Sequence, residues 1–252
     1  DRKTTLLDYV DEGESAPEEF VEDYRVRIFL TRDNYLKKIS LASLRVAAAQ
    51  KLKPEDEIIC EFEASNREEL LLFTDKGEVY KTKIYDVNDC KASSLGEYLP
   101  NMIGMSNDEK IIYAINASDF KGYMLFAFEN GKAAKVDMKG YETKTNRKKL
   151  TGAYSVKSPV VGMMYMEEDM PVSFMSRGGR RLVINTSVIA PKSKRDTQGV
   201  QVYLSKRDKY LASIKPVADE ELAALKEFYS ERIPSSGRMA KDDDKYEQIG
   251  LF

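Results

Sequence analysis

Residues 71–84, LLFTDKGEVYKTKI, follow a pattern that occurs four times along the chain. In each copy an apolar run leads into a tight turn, and a second run carrying Lys or Arg follows the turn. The other three copies start at Ile28, Leu125 and Ser173 and read IFLTRDNYLKKISL, LFAFENGKAAKVDM and SFMSRGGRRLVINT. Turn pairs such as Lys76-Gly77 tolerate positive φ and favour two-residue hairpin turns. Each copy therefore predicts a β-hairpin.

A second pattern follows each hairpin and predicts a further strand. Its copies read DEIICEFEA from Asp56, DEKIIYAINA from Asp108, SPVVGMMYM from Ser158 and KYLASIKPV from Lys209. Equivalent positions in successive copies, namely Ile58, Ile111, Val160 and Leu211, are 53, 49 and 51 residues apart. Four repeats of this kind are compatible with a small propeller, an open spiral or two sandwiches. A regular period near fifty residues with about four strands per repeat favours an all-β, propeller-like fold.

The repeats divide the chain into three parts. Residues 1–23 are expected to form an acidic linker from an upstream domain, and residues 24–218 to form four repeats, at about 24–68, 69–120, 121–169 and 170–218. Residues 219–252 are expected to hold a short helix and an acidic tail. In that part residues 219–233, DEELAALKEFYSERI, predict a helix with Leu222, Leu225 and Phe228 on one side.

The strand after each turn shows a period of two. Three, five and seven residues past the turn glycine the side chains are apolar or uncharged, as in Tyr80, Thr82 and Ile84. Four and six residues past it stand Lys81 and Lys83 in the second copy. This alternation predicts one buried face and one solvent-exposed face that carries the lysines.

Charge is unevenly distributed along the chain. The formal net charge is −2, yet residues 24–218 hold 33 basic and 24 acidic side chains, while both ends are acidic. Residues 171–215 contain ten Lys or Arg and only two acidic side chains. A basic excess confined to the repeats indicates a polyanionic partner.

Several function classes are excluded or disfavoured. The chain has no histidine, which excludes Ser-His-Asp and Cys-His catalysis, and its two cysteines are too few for a zinc site built on cysteine. No metal site or cofactor is expected. No apolar run is long enough to span a membrane, and no export signal is present, so a cytoplasmic location is expected. The first residue, Asp1, suggests a fragment of a longer protein.

Specific stretches of the repeats resemble a known family. LLLFTDKGEVYKTKIYDV, LPNMIGMSNDEKIIYAI, MLFAFENGKAAKVDMKGY and SRGGRRLVINTSVIAPKSKRDTQGVQVYL are similar to the C-terminal domain of bacterial type IIA topoisomerase A subunits, the gyrase A and topoisomerase IV family. The resemblance covers roughly residues 24–218. It implies a β-pinwheel, a ring or spiral of four-stranded blades in which each blade lends a strand to the next.

The resemblance also implies a function. The basic outer rim of such a domain binds duplex DNA and bends or wraps it for the catalytic core. The implied partners are double-stranded DNA, the catalytic domain upstream in the same polypeptide and the ATPase subunit of the holoenzyme, in the nucleoid of a bacterial cytoplasm. The catalytic tyrosine of the family belongs to the upstream domain. This chain is therefore not expected to be an enzyme on its own.

Two features depart from the family pattern. Gyrase A domains carry a basic box rich in Gln, Arg and Gly in the first blade, and the matching place here reads AAAQKLKPED from Ala47. Only Gln50, Lys51 and Lys53 match it, which favours topoisomerase IV or a divergent gyrase-like protein. The chain also has four repeats where the family often has five or six, which is compatible with an open spiral.

Cations of the repeats are the candidate DNA contacts, because duplex DNA presents a negative charge about every 1.7 Å along its axis. The predicted contacts are Lys37, Lys38, Lys51, Lys53, Lys81, Lys83, Lys135, Lys139, Arg147, Lys148, Lys149, Arg177, Arg180, Arg181, Lys192, Lys194 and Arg195. No segment resembles a recognition helix, so backbone contacts without sequence specificity are expected.

Two other functions remain open. One is a propeller that serves as a protein-docking platform, with its basic rim binding acidic partners. The other is a propeller enzyme that uses carboxylates and a divalent ion. The second is disfavoured because Asp and Glu concentrate at the tails and turns and not at one repeated central position.

Overall fold

The computed structural model describes residues 21–44, 49–117, 119–143 and 147–240, and it is built from sixteen strands. In chain order the strands are β1 (Arg25–Thr31), β2 (Tyr35–Ser40), β3 (Ile58–Ser65), β4 (Glu69–Thr74), β5 (Val79–Lys83), β6 (Glu97–Tyr98), β7 (Ile111–Ala117), β8 (Tyr123–Phe128), β9 (Lys132–Asp137), β10 (Lys149–Leu150), β11 (Val160–Met166), β12 (Pro171–Ser176), β13 (Arg180–Asn185), β14 (Val200–Gln201), β15 (Leu211–Pro216) and β16 (Arg238–Met239). Three short helices accompany them, α1 (Leu41–Leu44), α2 (Leu99–Ile103) and α3 (Asp219–Leu222). None of the described helices is long and apolar enough to cross a membrane.

The strands form four antiparallel four-stranded sheets, which we number as blades 1 to 4. Their strand orders are β3-β1-β2-β6, β7-β4-β5-β10, β11-β8-β9-β14 and β15-β12-β13-β16. The first strand of each order lines a shared cavity of about 230 Å³, to which Ile59, Ile112, Val161 and Ile214 contribute from the four blades. The four blades therefore surround one axis, which confirms the predicted all-β, propeller-like fold.

The hairpin turns form as the sequence predicts. The second residue of each turn pair has a positive φ, at 64° for Asn34, 74° for Gly77, 80° for Gly131 and 83° for Gly179. The start of the second pattern then holds the turn. The carboxylate of Asp56 accepts from the Asp33 amide at 3.0 Å, and that of Asp208 accepts from the Gly178 amide at 3.2 Å. In blades 1 and 4 a carboxylate two or three residues before the inner strand thus holds the hairpin turn of the same blade.

The outermost strand of blades 1, 2 and 3 comes from the following repeat. β6 follows β5 of blade 2 in the chain but pairs with β2 of blade 1, and β10 follows β9 of blade 3 but pairs with β5 of blade 2. In the same way β14 follows β13 of blade 4 and pairs with β9 of blade 3. Each repeat thus lends a strand to the preceding blade. The expected strand exchange is present, but each repeat lends its strand to the preceding blade and not to the next one.

Three long segments carry out this exchange. We call residues 84–110, 138–159 and 186–210 the first, second and third exchange segments. Each starts in a 3-10 turn at the end of a hairpin, crosses to the outer edge of the preceding blade, and returns to an inner strand of its own blade. The outer edges of blades 1, 2 and 3 are therefore covered by the first, second and third exchange segments.

Hydrophobic clusters join consecutive blades. One cluster joins blades 1 and 2, through residues such as Leu30 and Leu72; a second joins blades 2 and 3, and a third joins blades 3 and 4. Two small clusters lie on the outer faces at the two ends, one around Phe29 and one around Phe228. Among the described residues, blades 1 and 4 share no such cluster.

A buried lysine secures each exchange. Lys135 of β9 is 2 % exposed, and its ammonium donates to the Thr186 carbonyl at 3.1 Å, where the third exchange segment begins. A carboxylate oxygen of Asp169 lies 2.7 Å from the same ammonium. Lys38 of β2 holds the start of the first exchange segment in the same way, through the Ile84 carbonyl at 3.3 Å.

Lys81 of β5 completes this set of three. It donates to the Tyr141 carbonyl at 3.5 Å, at the end of the 3-10 turn Met138–Tyr141. These three lysines occupy the fourth position past the turn, so the prediction that this position faces solvent is wrong. Both faces of a middle strand are covered here, because the crossing segment packs on the face that an isolated hairpin would expose.

The fourth blade lacks a following repeat and is completed by the C-terminal segment. Val183 stands at the position of the buried lysines, and Phe228 packs against it with Leu222 and Leu225 at the edge of the cluster. The Ser230 amide donates to the Val183 carbonyl at 2.9 Å, and β16 pairs with β13. The predicted apolar side of this segment is confirmed, but the helix is shorter than expected. It ends at Leu222, and a 3-10 turn, Lys226–Phe228, follows it.

Most of the two predicted acidic ends, residues 1–20 and 241–252, lie outside the described residues. The same holds for Ala47 and Ala48 at the start of the degenerate box.

Replacing Lys135 with Met should destabilise the domain by about 2–4 kcal/mol, because the Thr186 carbonyl and the Asp169 carboxylate lose their buried partner. Urea denaturation followed by circular dichroism measures the change. Lys121→Met is the control, since Lys121 is exposed and paired with Asp119 at the surface, and it should shift the stability by less than about 0.5 kcal/mol. Equal effects of the two variants would contradict the proposed role of Lys135.

Candidate nucleic-acid interface

Strand exchange decides where the basic residues lie. The first exchange segment holds two basic and five acidic side chains, a net charge of −3. The described residues of the second hold five Lys or Arg against Glu142, and the third holds six against Asp196 and Asp208. The segments that cover the outer edges of blades 2 and 3 therefore each have a net charge of +4 in the described part of the chain. The basic cluster that the sequence assigns to the fourth repeat lies largely on blade 3.

Five of the predicted contact residues are buried. Lys37, Lys38, Lys81, Lys135 and Arg181 are each at most 9 % exposed. Lys37 donates to the carbonyls of Ala92 at 2.9 Å and Lys51 at 3.2 Å, and burial lowers the pKa of its ammonium. The Arg181 guanidinium lies 5.5 Å from the centre of the Phe228 ring. Because these cations are enclosed by protein groups in this fold, we omit them from the interface.

A second group lies at the surface but has protein partners. Lys149 pairs with Glu78 and lies 4.9 Å from the centre of the Tyr80 ring, and these contacts raise the pKa of its ammonium. Arg177 pairs with Glu129, and Lys83 lies 3.5 Å from Glu69.

Two further cations of this group hold neighbouring segments. Arg180 donates to the carbonyls of Ser236 and Gly237, both at 2.8 Å, and so holds the C-terminal segment beside β13. Lys53 lies 4.6 Å from the centre of the Tyr35 ring. These cations have structural partners that a phosphate would have to displace or share.

The remaining predicted cations project from the exchange segments or beside them. Arg195 donates to the Gly140 carbonyl at 2.6 Å and stacks on Tyr141, so it joins the second and third exchange segments. The others make no ion pair with any described residue and are exposed or partly exposed: Lys51, Lys139, Arg147, Lys148, Lys192 and Lys194. Five of these six lie on the outer edges of blades 2 and 3.

The structure adds cations that the sequence interpretation did not select. Lys157 of the second exchange segment is exposed, as are Lys206, Arg207 and Lys209 of the third. These four residues lie in the return loops, outside the hairpins and crossing stretches that supplied the candidate contacts. The count of ten basic residues in residues 171–215 already included three of them and was the available signal.

The arrangement of exposed cations suits binding of a polyanion. In the described part of the chain no three Cys, Asp or Glu side chains come close enough to hold a metal ion. The longest described α-helix, α2, has five residues, which is too short to read a DNA major groove. The exposed cations carry long, flexible side chains and repeat along two adjacent edges, as contacts to a phosphate backbone require.

The division between buried and exposed lysines can be tested by brief acetylation of the native protein, followed by mass spectrometry. Lys139, Lys148 and Lys194 should react quickly, while Lys38, Lys81 and Lys135 should react only after unfolding. Lys37 is the sharpest case, because its lowered pKa would by itself make the amine more reactive. Fast modification of Lys37 in the folded protein would contradict its enclosure.

Comparison with known proteins agrees with this fold. No family model matches the chain. The A subunit of DNA topoisomerase 4 from Bacillus subtilis is 28 % identical over 153 residues, covering 59 % of this chain and 19 % of that protein. Its counterpart from Staphylococcus aureus is 22 % identical over 217 residues, covering 84 % of this chain and 27 % of that protein. The chain thus spans about a quarter or less of these relatives.

Solved structures extend the comparison. The C-terminal domain of DNA topoisomerase IV superposes with a TM-score of 0.67 at 27 % identity, covering 80 % of this chain and 64 % of that one. The E. coli ParC C-terminal domain superposes with a TM-score of 0.62 at 14 % identity, covering 87 % of this chain and 95 % of that one. The second likeness concerns the fold alone. In sequence and in fold, the chain is similar to the C-terminal domain of a bacterial type IIA topoisomerase A subunit.

Proposed function

We propose that this domain binds duplex DNA without sequence specificity and bends it, as the accessory C-terminal part of a type IIA topoisomerase A subunit. The observation that carries the proposal is the charge difference between the exchange segments. Two adjacent blade edges are strongly basic, while the equivalent edge of blade 1 is acidic. A solvated surface without a partner gives no reason for equivalent segments to differ by seven charges.

Non-specific binding follows from the kind of contact available. The free cations belong to crossing segments and return loops, and the described helices are too short for groove readout. Lys and Arg on such segments contact phosphates, which are the same in every sequence. The affinity should therefore depend strongly on salt and little on base composition.

Bending follows from the position of the two basic edges. Blades 2 and 3 surround a common axis, so their outer edges face different directions. A straight duplex would contact one edge and leave the other. Contact with both edges requires a bend, whose cost of about 1–6 kcal/mol for 40–90° over a short site must be offset by the added phosphate contacts.

The proposed function also concerns the partners of this domain and the step that it does not carry out. We propose that it does not cleave DNA itself but supplies a DNA-holding surface to a catalytic domain upstream. The relatives are named as A subunits of DNA topoisomerase 4, and we propose that the complete enzyme acts on DNA in a bacterial cytoplasm together with an ATPase subunit.

Charge reversal on the two basic edges tests the proposal. The variant Lys139→Glu, Arg147→Glu, Lys148→Glu and the variant Lys192→Glu, Lys194→Glu, Arg195→Glu should each bind a short duplex at least about tenfold more weakly. Each should also lower the slope of log affinity against log salt by about 3, because each phosphate contact contributes about 0.9. Fluorescence anisotropy at several salt concentrations measures both quantities on duplexes of different sequence.

The matched control is Lys91→Glu, Lys110→Glu, Lys121→Glu, which changes the net charge equally at three exposed sites outside the basic edges. Its effect should be much smaller. If the unmodified domain shows no binding at about 50 mM salt, the proposal fails. An acidic protein partner retained after nuclease treatment would then support the docking platform.

A further inference from the structure

The loop formed by residues 203–210, YLSKRDKY, carries a second basic group of the third exchange segment, apart from residues 192–195. It connects β14, the outermost strand of blade 3, to β15, the inner strand of blade 4. Lys206, Arg207 and Lys209 are all exposed, and none of them makes an ion pair with a described residue. Three neighbouring cations therefore face solvent at the hairpin-turn end of blade 3.

Hydrogen bonds fix the shape of this loop. The Asp208 carboxylate accepts from the Gly178 amide at 3.2 Å and from the Ser176 hydroxyl. The Tyr203 hydroxyl donates to the Asp208 carbonyl at 2.9 Å, and Tyr203 itself is 1 % exposed. The only acid of the loop is thus directed into the protein, and the cations are left on the outside of a fixed loop.

The loop and the first basic group of the third exchange segment lie at opposite ends of one blade edge. Lys192 bridges to Val136, and Gln201 pairs with Lys132. These two points are four residues apart on β9, which corresponds to about 13 Å. Lys206, Arg207 and Lys209 follow beyond Gln201. The anchor points of the two basic groups on β9 are therefore slightly farther apart than the width of a DNA major groove, about 12 Å.

Little charge lies between the two groups. Residues 197–205, TQGVQVYLS, contain no charged side chain. The Gln201 amide is used internally, since it donates to the Tyr203 carbonyl at 2.7 Å and the Asn130 carbonyl at 3.0 Å. The segment that crosses the edge of blade 3 is thus neutral in the middle and basic at both ends, and beside it the Lys132 ammonium of β9 donates to the Gln198 side chain at 3.5 Å.

We propose that Lys206, Arg207 and Lys209 form a second DNA contact, which together with residues 192–195 holds a duplex across the outer edge of blade 3. Each group contacts the backbone on one side of a groove, and the neutral edge faces the groove between them. This inference rests on the proposed function, because it concerns the same ligand. It belongs to blade 3, since the equivalent return loops of the other exchange segments offer only Lys110 and Lys157 as cations.

Charge reversal tests the second contact. The variant Lys206→Glu, Arg207→Glu, Lys209→Glu should bind a duplex about tenfold or more weakly, and the slope of log affinity against log salt should fall by about 2–3. The control variant Lys91→Glu, Lys110→Glu, Lys121→Glu carries the same change in net charge. If the loop variant binds like this control while the 192–195 variant is weakened, the inference fails and the proposed function stands. If the unmodified domain does not bind, the proposed function itself fails.

A cross-linking measurement keeps the test independent of how the charge variant folds. Arg207→Cys, in a chain with Cys60→Ser and Cys90→Ser, carries a photoreactive group and should cross-link to duplex DNA. Lys110→Cys in the same background lies at the end of the first return loop, beside the hairpin turn of blade 2, and should not cross-link. Equal cross-linking at the two positions, or none at position 207 while the domain binds DNA, would overturn the inference.

Discussion

Each hairpin and its inner strand form a three-stranded sheet whose outer edge has unpaired backbone groups. Such an edge must be paired or covered, because exposed strand edges template aggregation. Here β6, β10 and β14 from the following repeat pair with it, although each contributes only two residues. Because the pairing strand belongs to the following repeat, a long segment must cross between the two blades. The charged side chains of its crossing stretch therefore lie on the neighbouring blade. The position of the basic surface follows from this pairing.

Buried lysines fix where each exchange segment begins to cross, but burying their ammonium groups costs free energy. Removing an ammonium from water is unfavourable by several kcal/mol, and only complete hydrogen bonding offsets it. Lys38 and Lys135 meet this condition, each through a carboxylate and the first carbonyl of the next 3-10 turn. Val183 takes the same position in blade 4, where no repeat follows, and Phe228 covers it. Where Lys is replaced by Val, the segment that covers the strand is thus held by apolar packing and not by hydrogen bonds. This replacement occurs in the last of the four blades.

Local patterns predicted much of this fold. The four turn pairs and the inner strands follow from features that act within a few residues, such as the positive φ of Gly77 and Gly131, and the propeller-like arrangement follows from the period near fifty residues. The burial of Lys81 and Lys135 could not be predicted in this way, since alternation assumes that one face of a strand meets solvent. Strand exchange depends on pairs such as Gln201 with Lys132, which are far apart in sequence and carry no strong pattern. The same cause hid Lys206 and Arg207, whose place on blade 3 exists only after the exchange.

The central claim is that strand exchange gathers the DNA-binding cations on the outer edges of blades 2 and 3. Lysine acetylation with and without bound duplex, read by mass spectrometry, tests it most directly. We expect DNA to protect exposed lysines of the second and third exchange segments, such as Lys148 and Lys194, and to leave Lys91 and Lys110 of the first segment as reactive as before. Equal protection of all three exchange segments, or protection of the first alone, would contradict the account.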